Sequence, residues 1–166
     1  MIGRILNYIL EKDVDALFTK KINAFTGKCF AQNEDSEIYG ELSEINGFKF
    51  LNFKILGPFY THVYNGCKVI FENANETVEV ESDTLEIHTD YSKQLKMGIT
   101  SFDIDLESSL EEQMRNKSIV KFDIIIDKKT LSFVLDATAL VEILNIVAEP
   151  EDTNMGNENM DPFMQG

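Results

Sequence analysis

The chain has 166 residues, with 29 acidic and 15 basic side chains and a formal net charge of −14. A field of that sign excludes binding to DNA, RNA or an anionic membrane through overall charge, because phosphate recognition relies on Lys and Arg. The 43% hydrophobic content suffices for a core at single-domain length and excludes a wholly disordered chain.

The first third reads as helix. Leu10, Val14, Leu17, Phe18, Ile22 and Phe25 recur at three- and four-residue steps, which predicts a helix over 14–26. Asp13 is placed as its N-cap and Gly27 as its C-terminal stop. Ile2, Ile5, Leu6 and Ile9 repeat the spacing upstream. Asn7 interrupts that run, and Glu11, Lys12 and Asp13 close it with no small-residue cleavage site. It is too short and too polar for an export signal or a membrane span. A cytoplasmic protein with reduced thiols at Cys29 and Cys67 is therefore expected. The apolar stripe is expected to pack on the protein's own sheet. A homo-oligomer formed through this helix is the second reading.

From about residue 36 the apolar period becomes two. Asn46-Gly47 suits a tight hairpin joining 37–45 to 48–56, and Asn65-Gly66 one joining 59–64 to 67–72. Gly57-Pro58 marks the turn between them. A third hairpin with Ser82-Asp83 as its loop would set Val80 opposite Leu85 and Val78 opposite Ile87, and so Glu79 opposite Glu86. Residues 98–107 read as a further strand, with Phe102, Ile104 and Leu106 on one face. Ser108-Ser109-Leu110-Glu111 fits a capping box and predicts a short helix over 109–115. A fourth hairpin around Lys128-Lys129 brings Phe122, Ile124 and Ile126 to one face with Leu131, Phe133 and Leu135. After Asp136, a candidate N-cap, Leu140, Ile143, Leu144 and Val147 predict a closing helix near 138–148.

These elements predict a mainly β (α+β) protein: an antiparallel meander of about nine strands forming a barrel, roll or sandwich, with an N-terminal amphipathic helix and two later helices. One domain over 1–148 is expected, made of a helical segment 1–33, a β core 36–136 and a capping helix 138–148. Residues 149–166, acidic and rich in helix breakers, read as a flexible tail. In element order the chain resembles small rolls capped by a C-terminal helix, such as pleckstrin-homology domains. It carries no family motif, and fold alone licenses no function.

Residues 73–114 hold eleven acidic and two basic side chains. Glu79, Glu81, Glu86, His88, Asp90, Asp103, Asp105 and Glu107 are the candidate partner-binding residues, on a sheet face where like charges oppose one another. The expectation is a non-enzymatic inhibitor, neutraliser or adaptor whose acidic face meets a basic surface on another protein. The alternative is a carrier that holds a small apolar ligand among its twelve phenylalanines and five tyrosines. Tyr60, His62, Tyr64 and Cys67 would share a face in the second hairpin, but a nucleophilic thiol also needs a base beside it and a lowered pKa. Asp103, Asp105 and Glu107 lie along one flat strand without the glycine turn of a calcium loop. With no phosphate loop and only two His and two Cys, neither a cofactor nor a metal is expected.

Overall fold

The computed structural model describes residues 16–23 and 27–146. The expected Asp13 cap, the apolar repeat before it, the end of the first helix and the acidic tail lie outside the described residues. The chain runs α1 (Ala16–Asn23), β1 (Lys28–Gln32), β2 (Glu37–Ile45), β3 (Phe48–Gly57), β4 (His62–Val63), β5 (Lys68–Glu72), β6 (Thr77–Glu81), β7 (Ile87–His88), β8 (Asp90–Ser92) and β9 (Met97–Asp105). It then continues through α2 (Ser108–Arg115), β10 (Lys121–Ile126), β11 (Lys129–Leu135) and α3 (Ala137–Ile146).

Nine strands form one antiparallel sheet in the order β6-β5-β10-β11-β1-β2-β3-β9-β8, and β4 pairs with β7 in a separate ribbon. The sheet curls far enough for Ser82, just beyond β6, to bridge Ile104 on β9. The sheet-dominated α+β class expected from the alternating pattern is what the chain adopts.

Two hairpins follow their local signals. Ile45 pairs with Phe48 across Asn46-Gly47, which take φ of 54° and 85°. Those positive angles match the right-handed twist of the flanking strands. The last hairpin turns at Asp127-Lys128, with Asp127 at φ 56°, so that Phe122 pairs with Phe133 and Ile124 with Leu131. The expected loop around Lys128-Lys129 shifts partners by two positions. Because side chains alternate with a period of two, the same residues stay on the core face.

Two expected hairpins do not form. Cys67 and the strand after it do not pair with 59–64. Instead β5 lies between β10 and β6, with Val69 opposite both Ile124 and Val80. The β5–β6 turn is Asn73–Glu76, whose Asn73 Oδ1 accepts the N–H groups of Asn75 and Glu76 at 2.8 Å each. Thus Glu79 faces Ile70 rather than Glu86, and Val78 faces Phe71 rather than Ile87. The same device joins β1 to β2: Asn33 Oδ1 accepts from Asp35 N at 3.1 Å and Ser36 N at 2.8 Å. An asparagine side chain that mimics a backbone turn supplies both reversals. β1 also corrects the expectation of a helical segment to residue 33. Its register slips between Cys29 and Ala31, and a five-residue strand with a bulge shows neither a period of two nor one of 3.6.

Phe30, Phe53, Phe71, Phe102, Phe122 and Phe133 are all buried in the concave interior. Phe53 stacks on Phe102 with ring centroids at 4.9 Å and meets Phe30 edge-on at 5.4 Å. Leu110 and Met114 of α2 and Leu140, Ile143 and Leu144 of α3 complete this cluster. Arg115 joins the two helices through Asn145 Oδ1 at 2.6 Å and the Leu144 carbonyl at 3.1 Å. α1 packs elsewhere, its Phe18 and Ile22 lying against Leu56 and Met97. The last helix starts where Asp136 Oδ1 accepts Ala139 N–H at 3.0 Å, as expected of an N-cap. The capping box expected before α2 does not form. Glu107 occupies the cap position without a side-chain bond, while Glu111 turns to Lys49 and Arg115.

Candidate interaction surface

The Ser82–Ile104 bridge decides where the carboxylates go. Both residues are buried, so their neighbours along each strand turn outward. The antiparallel sense of the bridge sets Glu81 beside Asp105 and Asp83 beside Asp103. The backbone confirms the second pairing, since Asp83 N–H donates to the Asp103 carbonyl at 2.7 Å. Thr84 Oγ1 accepts Asp103 N–H at 2.9 Å and extends the seam by one residue. Four carboxylates therefore line one junction between β6 and β9, with Glu107 just beyond its end. Like charges placed opposite each other cost about 0.2–1 kcal/mol per pair.

Among the described residues, none of Glu81, Asp83, Asp105 and Glu107 forms an ion pair. Asp103 has neutral support, from Asn52 Nδ2 at 2.9 Å, with Lys54 bonded in turn to Asn52 Oδ1 at 2.7 Å. Glu79, earlier on β6, pairs with Lys68 at 3.3 Å. Among the described residues no group of three or more His, Cys, Asp or Glu is placed to hold a metal ion. The seam is thus a set of parallel, outward carboxylates, suited to facing a surface of opposite charge.

The remaining candidates, Glu86, His88 and Asp90, lie on or beside the β4–β7 ribbon. The sequence reading did not pair these strands. His62 lies opposite His88, and their rings stack at 4.0 Å with 12° between planes. Tyr64 leans on His62 at 4.7 Å, and Tyr60 meets both His88 and Tyr91 edge-on. Five rings form a surface row. Glu86 is held by His62 Nε2 at 2.9 Å, His88 Nε2 by the Tyr60 hydroxyl at 2.9 Å, and Asp90 by Lys21 of α1 at 2.5 Å. The continuous acidic face expected from sequence therefore divides into an unpaired seam and a paired aromatic ribbon.

No protein-family model, curated protein or solved structure matches this chain.

Tyr60, His62 and Tyr64 do share a face, but Cys67 does not join them. It is 6% exposed, its N–H donates to Ser82 Oγ at 2.9 Å, and burial pushes its thiol up to about 11. That shift is opposite to the one a thiolate nucleophile requires. Gly66 explains the placement: a Cβ there would stand 2.5 Å from Ser82 Oγ. The glycine permits close approach to the seam, where its N–H donates to the Leu85 carbonyl at 2.8 Å. Among the described residues no helix is long and apolar enough to cross a membrane.

Proposed function

We propose that this domain is a non-enzymatic, cytoplasmic protein-binding module of inhibitor, neutraliser or adaptor type. It engages a basic surface of another protein through Glu81, Asp83, Asp103, Asp105 and Glu107. One observation carries the reading: the seam sets Glu81 beside Asp105 and Asp83 beside Asp103 with no basic partner among the described residues, whereas Glu72, Glu79, Glu86 and Asp90 are each paired. A repulsive row is relieved when an opposing surface supplies Lys or Arg, and the same field speeds encounter at low salt. The carrier reading has less support. Its lining would come from the phenylalanines, and those rings pack on one another, with Phe122 contacting Phe30, Phe53, Phe71 and Phe133.

The test is amide shift mapping of the full chain during titration with oligolysine, a surrogate for a basic surface. Shifts concentrated at 79–84 and 103–107, and suppressed by salt, support the reading. Shifts spread evenly over the acidic residues, or centred on the β4–β7 ribbon, overturn it.

A further inference from the structure

A second site lies where β1 leaves β11. The two strands pair only through Ala31–Leu135 and Gln32–Val134. Beyond that point Asp136 N–H still reaches the Phe30 carbonyl at 2.8 Å, but the chain has turned into α3. The gap is a cavity of about 420 Å³, within the size range of small-ligand sites. Phe30, Leu135 and Ala139 give it an apolar wall.

Glu37, the first residue of β2, also lines this cavity and is only 2% exposed. Its Oε1 accepts the Tyr39 hydroxyl at 3.1 Å, while its Oε2 is buried with no hydrogen-bond partner among the described residues. A buried carboxylate oxygen without a donor is unfavourable, and a charged donor is its strongest remedy. The nearby charges leave that role open. Lys28, the one basic residue of the lining among the described residues, is held at 3.0 Å by Glu142. Asp136 is engaged as the cap of α3, and its charge offsets the positive end of that helix. Among the described residues the cavity therefore carries three carboxylates against one lysine.

We infer that this cavity binds the cationic head of an aliphatic amine or guanidine, with Glu37 as buried counter-ion and the apolar wall against the alkyl stem. The site uses β1, β2, β11 and α3, so it does not rest on the seam or on the protein-partner reading. The cation can belong to a free small molecule or to an exposed arginine side chain, and the two are separable.

The experiment titrates the full chain with agmatine, with N-acetylarginine amide and with uncharged n-pentanol, followed by calorimetry and amide shifts. Expected are saturable binding of at least one cation, shifts confined to 28–37 and 134–139, and no saturable response to pentanol. Binding of agmatine alone assigns a free small-molecule cation; binding of the arginine derivative alone assigns a side chain. Glu37→Gln should weaken binding about tenfold or more, and Glu107→Gln on the seam should leave it unchanged. Absence of saturable binding by both cations, equal binding by pentanol, or full affinity in a folded Glu37→Gln protein would overturn the inference. If Glu37→Gln does not fold, the comparison of cation with pentanol on the unaltered chain decides.

Discussion

β9 shares one edge with β3, and along its other edge it pairs first with β8 and then meets the end of β6; the β3 and β6 junctions are built differently. Toward β3 it runs through eight paired rows from Phe50–Asp105 to Gly57–Gly98. Phe53–Phe102 and Leu51–Ile104 lock the inner side, and the polar outer side is cross-linked by Asn52 to Ser101 and Asp103. Toward β6 it makes one bridge and a few backbone bonds, and the outward side chains are carboxylates that form no ion pair among the described residues. The contrast separates residues chosen for folding from residues whose arrangement folding does not explain. Where apolar side chains interdigitate, Asp103 and Lys54 share a polar partner in Asn52. Where the junction is thin, charge is left facing outward.

The largest effect should come from the well-packed junction: Phe53→Ala, at a fully buried ring touching Phe30, Phe102 and Phe122, should cost about 3–5 kcal/mol by urea unfolding. Next is the pH response of Cys67, close to the seam. Its thiol is raised from 9.0 to about 11 by burial. The folded state therefore favours the protonated thiol, and stability present below about pH 9 should fall by about 2–3 kcal/mol as pH rises toward 11. A Cys67→Ala protein, weaker at neutral pH, should lack that fall, and melts across the range would show it.

Glu111 sharpens the contrast by showing what a satisfied carboxylate is worth. Burial would push it up, yet the hydrogen bonds and charges of Lys49 and Arg115 hold it below the usual range. Its contribution is present above the ordinary carboxylate range and is lost as pH falls through the lowered value. Glu111→Gln should cost about 1–3 kcal/mol at neutral pH, with the deficit shrinking in acid. The smallest effect belongs to the seam. Glu81→Gln, Asp83→Asn and Asp105→Asn together remove two like-charge pairs and should change stability by no more than about 2 kcal/mol, in the stabilising direction. A marked loss of stability would show that the seam carboxylates serve the fold.

The legible part of the fold was the part with strong local chemistry. Asn46-Gly47 marked a tight turn because both residues tolerate positive φ, and Asp136 marked a helix start because its carboxylate reaches Ala139 N–H. Asn65-Gly66 misled because Gly66 serves a close approach to Ser82. That error removed β5 from its place beside β10 and, with the Ser82-Asp83 loop, produced the expected Glu79–Glu86 clash. The turns at Asn33–Ser36 and Asn73–Glu76 share a leading asparagine, the signal by which β1 and the β5–β6 pair could have been found. Glu81, Asp103 and Asp105 were candidates from their alternation with apolar residues. Asp83 was missed because it was assigned to a loop, and the His62–His88 stack because pairing of residues 26 apart depends on the whole sheet. The buried Glu37 gave no local sign: its burial depends on elements distant in sequence.

Affinity for oligolysine should differ between two triple variants of equal net charge. One carries Glu81→Gln, Asp83→Asn and Asp105→Asn at the seam; the other carries Asp35→Asn, Glu76→Gln and Glu112→Gln at exposed sites on two turns and α2. At low ionic strength the seam variant should lose about tenfold in affinity or more, and the other should stay within about threefold of the unaltered protein. Equal losses in both would mean that only total charge matters, and the seam would no longer be a docking surface.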